Sequence, residues 1–287
     1  MGGIMRLHKR FLIVTIAILI GFTGLLYKYS GLVIHKEKNS KTTINTTKTL
    51  KPASVKTVFI HKSVDSLENK KIPILMYHSI SYEKENILRV PKEKFRNQMK
   101  YLKDNNYTTL TLDELYSYMK TGKDLPSKPI VITFDDGYKD NYTNAYPILK
   151  EFKLKATIFV ITNTIDHEKD YLTSAEIKLM DSNNIRIESH TSSHEHLDQI
   201  SYVDNVNTMK TSKIKLEKIL NKKIDYIAYP YGGYTPNTIK AAKQSGYKLA
   251  FSTEFGLIDK SDNIYSLGRI FVNSNFSLEE FKVKLTS

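Results

Sequence analysis

Seven short strand-like apolar runs limit what this chain can fold into more than any other feature. They lie at 72–76, 130–134, 156–161, 185–189, 226–229, 249–252 and 266–272. Amphipathic stretches alternate with them at 93–102, 112–119, 142–152, 175–180, 206–220 and 238–244. Helix start signals accompany this pattern. Thr173 and Ser277 stand three positions before Glu176 and Glu280, the spacing of a capping box. Thr235-Pro236 reads as a cap followed by proline in the first turn, and Gly246 sits where a C-terminal cap belongs. Alternating strands and helices predict an α/β fold on a mainly parallel sheet. For a region spanning 71–287, a deformed (β/α) barrel fits better than two domains.

In such folds reactive groups gather just beyond the C-terminal ends of the strands. Four runs end in polar chemistry: 72–76 leads into Tyr77-His78, 130–134 into Asp135-Asp136-Gly137, 185–189 into His190-Thr191-Ser192-Ser193-His194, and 226–229 into Pro230-Tyr231-Gly232-Gly233. Two histidines four apart can turn both imidazoles toward one ion, and a carboxylate completes a two-His, one-carboxylate site. Asp135 and Asp136 are adjacent and cannot point the same way along an extended backbone, so one can bind metal while the other stays free as a base. A metal-acidified water beside a free carboxylate is equipment for hydrolysing an amide or an ester. An isolated aspartate pair is ordinarily a cap or turn, and an isolated H-x-x-x-H is ordinarily accidental. Their joint placement is not.

The pair T-F-D-D-G at 133–137 and H-T-x-x-H at 190–194 resembles the polysaccharide deacetylases, the NodB-homology domains of carbohydrate esterase family 4. I-L-M-Y-H-S-I at 74–80 is similar to the opening strand of the branch acting on exopolysaccharide and peptidoglycan, and A-Y-P-Y-G at 228–232 to its third motif. The resemblance spans about residues 70–275. It implies a barrel of the NodB-homology type and hydrolysis of N-acetyl groups from an N-acetylglucosamine polymer, peptidoglycan or poly-N-acetylglucosamine, releasing acetate. It further implies a divalent metal, zinc first among several, on Asp136, His190 and His194, and Asp135 as the base that activates the attacking water. The loop of Pro230, Tyr231 and Gly232 would bind substrate, with the Tyr231 backbone N–H stabilising the oxyanion.

Three departures stand out. Ala228 occupies the place of an arginine that normally orients the base; Arg186 and Arg269 are the candidate substitutes. There is no Asp-Trp motif, and no Trp at all. The closing Leu-x-His reads Leu267-Gly268-Arg269, so its histidine, the usual general acid, is missing. His78 in the opening strand is the candidate acid. A structural histidine at a strand end is the rival reading.

The chain carries 43 Lys+Arg against 30 Asp+Glu, a formal charge of +13. Residues 1–71 hold 13 basic and 3 acidic residues, a net of +10, and 72–287 hold 30 and 27, a net of +3. The charge therefore lies mostly outside the folded part, and no basic stripe interleaves with aromatics, which excludes a nucleic-acid binder. The uncharged apolar run at 11–27 follows Arg6, Lys9 and Arg10 and just reaches spanning length. It predicts an uncleaved signal-anchor over 1–34, a polar Lys/Thr-rich tether over 35–70 and a deacetylase domain over 71–287. The enzyme is then expected as a single-pass protein of the cell membrane with its catalytic domain outside, or as a secreted one if the segment is cut. Lysines on both sides leave the positive-inside count undecided. Zero cysteine excludes a disulfide scaffold, thiolate metal sites and a cysteine nucleophile.

Among the remaining residues, Tyr138, Tyr231 and Tyr234 lie beside motifs and are candidates to stack on sugar faces. Thr191 fits a loop-bracing hydroxyl, His167 and His196 read as solvated, and Glu188 faces either the core or the layer behind the site. Two other functions compete: O-deacetylation of xylan or another acetylated glycan, and a catalytically weak glycan-binding relative, motivated by Ala228 and the missing closing histidine. The second has no use for a spare base beside a metal.

Overall fold

The computed structural model describes residues 70–286. The expected anchor and all but the last residue of the tether lie outside the described residues. Among those that are described, no helix is long and apolar enough to cross a membrane.

Eight strands form one sheet: β1 (Ile74–Tyr77), β2 (Thr108–Thr109), β3 (Pro129–Phe134), β4 (Ala156–Val160), β5 (Ile185–Ser189), β6 (Tyr226–Ala228), β7 (Leu249–Phe251) and β8 (Ile270–Phe271). The order is β7-β6-β5-β4-β3-β1-β8, with β2 paired to the start of β3, and every pairing is parallel. Both faces of such a sheet are covered, which is why its strands read as continuous apolar runs rather than alternating ones.

Register sorts the side chains into two layers, because partners in a parallel pair point the same way. One face carries Leu75, Ile132, Ile158, Ile187, Ile227 and Ala250, packed beneath the surrounding helices. The other carries Ile74, Val131, Phe159, Tyr226, Leu249 and Phe251, and Leu112, Leu115 and Tyr118 of the helix Leu112–Thr121 pack against them. That helix starts on a capping box from Thr111 and Glu114.

The expected strand at 266–272 breaks in two. Ile264, Leu267 and their neighbours pair with β7: Ala250 N–H donates to Ile264 O, and Leu267 N–H to Ala250 O. Three residues later the chain has crossed to β1, where Leu75 faces Ile270 and Met76 faces Phe271. One continuous strand cannot pair with both edges, so the crossing interrupts it at Gly268-Arg269. The segment 264–271 thereby joins the two ends of the sheet and makes the deformed (β/α) barrel.

The helix expected at 142–152 is also composite. A π-turn, Asn141–Ala145, precedes the helix Tyr146–Phe152. Pro147 has no N–H to donate, so the hydrogen-bond register shifts there. The helix expected from 206 begins a turn earlier, at Tyr202, capped by Ser201 on the Asp204 N–H. Both capping boxes read at Thr173 and Ser277 are formed, and Gly246 takes its left-handed conformation with φ of 77°.

The inner face is not wholly apolar. Glu188 is fully buried and accepts N–H groups from Asp225 (3.0 Å) and Tyr226 (2.9 Å). Arg186 bonds it, reaches Asp113 of the helix Leu112–Thr121 and lies 5.0 Å over the Tyr226 ring. Burial pushes the Glu188 carboxyl up to about 7 against the pull of Arg186. The choice left open for Glu188 resolves to the core: through Arg186 it ties helix to barrel.

Candidate active site

Parallel strands deliver all their C-terminal ends to one mouth, and the inner-face parity continues into the loops. Thr133 pairs with Thr157, Phe159 with Glu188 and Ala228 with Phe251, so Asp135 and His190, two residues beyond Thr133 and Glu188, keep the inward parity. Asp135 is 2% exposed and His190 is 2% exposed. Asp136 leaves the strand with φ of 71° and turns toward the mouth. Gly137 must follow it closely: a Cβ there would come within 2.8 Å of the Val160 side chain, at φ of 80°.

Asp136, His190 and His194 converge. The Nε2 atoms of both histidines stand 3.3 Å from Asp136 Oδ1, and ligand atoms of the three lie within 4.8 Å of one another. His190 Nδ1 donates to Ala228 O at 2.9 Å, since a carbonyl can only accept, so its Nε2 presents a lone pair. Asp136 Oδ1 is buried and has no hydrogen-bond donor. Lone pairs facing one another around an orphaned carboxylate oxygen fit a divalent cation, and one carboxylate with two imidazoles is a donor set for such an ion. Thr191 braces the loop as expected, its hydroxyl accepting the His194 backbone N–H at 3.1 Å.

Asp135 points elsewhere, onto Arg269. The guanidinium donates from Nη1 to Asp135 Oδ1 at 2.8 Å and from Nη2 to Oδ2 at 2.7 Å. Its Nε bonds Ser252 O at 2.9 Å, and Nη1 also reaches Thr133 Oγ1 at 3.1 Å. Arg269 is fully buried. Burial raises the Asp135 carboxyl, and Arg269, with His190 and His78, more than offsets this, so it stays below its ordinary value and ionised. Of the two arginines weighed against Ala228, Arg269 meets the base and Arg186 does not.

His78 is half-buried, edge-on to Phe271 with ring centroids 5.7 Å apart, and its Nδ1 is buried without a partner. Burial lowers its pKa, while Asp135 and Asp136 pull the other way. Its carbonyl accepts from Asn141 Nδ2 at 2.8 Å, which fixes the strand end.

Tyr231 holds a left-handed backbone, φ 57° and ψ 0°, inside the turn Pro230–Gly232. Its ring stacks flat on His196 at 3.8 Å and meets His194 edge-on at 4.4 Å. His196, read as solvated, is thus one face of an aromatic stack at the rim. Tyr138 stacks on Tyr171 at 5.1 Å and lines the cleft, whereas Tyr234 packs on Tyr229 and bonds Glu254 instead. Leu88, Tyr171 and Glu168 also line the cleft, and no motif pointed to them. Gly232 has φ of 76°, and a Cβ there would lie 2.0 Å from Thr253 Oγ1 and 2.6 Å from Thr253 N. Gly232→Ala is expected to destabilise the fold by at least about 1–2 kcal/mol through its left-handed backbone alone. It should also lower kcat by displacing Tyr231; urea unfolding and initial rates measure the two effects.

Residues 122–250 match the profile of the family described as Polysaccharide deacetylase. The chain is 41% identical over 217 residues, 76% of its own length and 77% of the relative's, to YxkH of Bacillus subtilis (strain 168), which carries the same family name. It is 34% identical over 202 residues to the poly-beta-1,6-N-acetyl-D-glucosamine N-deacetylase of Staphylococcus aureus (strain MSSA476), covering 65% of this chain and 68% of that one. The chain belongs to the polysaccharide deacetylase family. The deacetylase PplD of Streptococcus pyogenes, solved in complex with acetate, superimposes on this deacetylase with a TM-score of 0.73 at 34% identity, over 76% of this chain and 100% of that one. The family makes this deacetylase a hydrolase, and the donor set just described can hold its divalent metal.

Proposed function

We propose that this deacetylase removes N-acetyl groups from a poly-N-acetylglucosamine chain at the cell surface, tethered by its N-terminal apolar run. The observation that carries the reading is the division of labour between adjacent aspartates: Asp136 faces two imidazoles, and Asp135 is held ionised on Arg269. The similarity to a poly-beta-1,6-N-acetyl-D-glucosamine N-deacetylase supports the choice of polymer. The uncharged run at 11–27 supports the tether.

Asp136, His190 and His194 would hold the ion, and zinc suits two imidazoles and a carboxylate. When bound, it supplies Lewis acidity toward the acetyl carbonyl and toward water. Asp135 takes a proton from the attacking water as its oxygen bonds the acyl carbon. The Tyr231 N–H donates to the oxygen that gains charge. The C–N bond then breaks, with the nitrogen taking a proton from His78. Burial loosens the hold of His78 on that proton. Acetate and a glucosamine unit result.

Acetate release from poly-β-1,6-N-acetylglucosamine and from peptidoglycan, by chelated and zinc-reloaded protein, tests the reading. Release from the first polymer is expected, abolished by chelator and by Asp136→Asn. His78→Ala should lower kcat about 10²–10⁴-fold, the usual contribution of a general acid, with metal content unchanged. No acetate from either polymer after reloading would refute the activity, and full activity of His78→Ala would refute the acid.

A further inference from the structure

The cleft beside Asp136 has a volume of about 510 Å³. One wall is the loop 162–172, fastened at both ends to the loops that carry the chemistry. Thr162 N–H donates to Thr191 O at 3.1 Å and Asn163 N–H to Ser192 O at 2.9 Å. At the far end Leu172 N–H donates to Gly137 O at 3.0 Å and Lys139 N–H to Asp170 O at 2.8 Å. Within the loop, Glu168 N–H bonds Thr164 O at 3.0 Å, and Glu168 O accepts from Tyr171 N–H at 3.1 Å. The backbone of Glu168 is therefore fixed relative to Asp136.

The sign of charge in this cleft opposes that of the chain. Its carboxylates are Asp136 and Glu168, and no lysine or arginine lines it, although the chain has 43 of them. Asp136 is committed to the histidine pair. Glu168 is exposed and, among the described residues, forms no ion pair. Beside it the Tyr138–Tyr171 stack offers an aromatic surface for a sugar ring. Glu168 and Tyr171 line the same cleft.

We propose that Glu168 is a specificity-determining residue: it pairs with the ammonium of a glucosamine unit neighbouring the N-acetyl unit in the site, so that the cleft favours a partly deacetylated, cationic polymer. The inference rests on the deacetylation proposed above. Every turnover replaces a neutral acetamide by an ammonium, so the product of one cleavage becomes the recognition element of the next. A neighbouring unit carrying a carboxylate is repelled by the same group.

Equilibrium binding of a fully deacetylated glucosamine tetramer to the full chain tests this without turnover, since that oligomer has no acetyl group to lose. Wild type should bind it about threefold more tightly than Glu168→Gln at low salt, the scale of an exposed ion pair. The difference should vanish at high salt. The N-acetylglucosamine tetramer, measured in an Asp135→Asn background, should bind equally well with Glu or Gln at 168. Equal binding of the glucosamine tetramer by wild type and Glu168→Gln overturns the proposal, as does equal weakening toward both tetramers. Absence of acetate release strikes the proposed activity instead, because neither binding comparison requires hydrolysis.

Discussion

An Asp135→Asn enzyme should lose about 10²–10⁴-fold in kcat, the contribution of a positioned general base, while keeping its metal. The two side chains are nearly isosteric, and the amide oxygen of the variant still offers Arg269 an acceptor at the position where Nη1 now meets Oδ1 at 2.8 Å. What an amide cannot do is take a proton from water. Asp136→Asn should fail differently, because its Oδ1 is the oxygen on which both imidazoles converge at 3.3 Å. Metal content by elemental analysis, read beside single-turnover acetate release, separates the two. Loss of metal from Asp135→Asn, or retention in Asp136→Asn with activity intact, would overturn the division of roles.

Arg269→Met should act on stability and on pH dependence together. Removing one member of a buried pair strands the other, at about 3–5 kcal/mol. The sign depends on pH. In the wild type the depressed Asp135 carboxyl contributes stability above its unfolded pKa, and that stability is lost as pH falls through the folded value. Without Arg269, burial is opposed only by His190 and His78, and the carboxyl rises. The variant is then weakest near neutral pH, and its deficit shrinks in mild acid as Asp135 protonates. Its pH–rate profile should lose activity at higher pH than the wild type, since the base works only when ionised. Urea unfolding at neutral and mildly acidic pH, with rates over the same range, measures both. Adding Asp135→Asn should recover part of the lost stability. A variant as stable as wild type at neutral pH would refute the pairing.

The chemistry-bearing motifs were legible in sequence because each follows an apolar run, and parallel strands send such residues to one end. That placement gathers Asp135, Asp136, His190 and His194, while which aspartate is the base came only with the family resemblance. Arg269 could be named only as one of two candidates. It lies 134 positions from Asp135, and no local pattern reveals which buried acid an arginine meets. Glu188 was undecided for a similar reason, since the Arg186 that pairs with it is held in turn by Asp113, on a helix that closes the barrel. The strand Thr108–Thr109 is two residues long and carries no apolar run. Tyr171 and Glu168 sit in a loop whose position is set by hydrogen bonds to two other loops, and a sequence does not display those. The sheet-joining role of 264–271 was hidden too: a strand that changes partner midway reads like one that does not.

That segment has a consequence for when the enzyme becomes active during its own synthesis. A chain grows from its N-terminus, so by the time Phe251 has emerged, all three metal-facing side chains and Asp135 are already present. Arg269 is not. Until Ile270 and Phe271 dock on β1, Asp135 has no counter-charge and the sheet keeps two open edges. The stroke that seals the barrel is the one that pairs the base, so a nascent or C-terminally clipped chain carries the catalytic signature with Asp135 lacking its arginine.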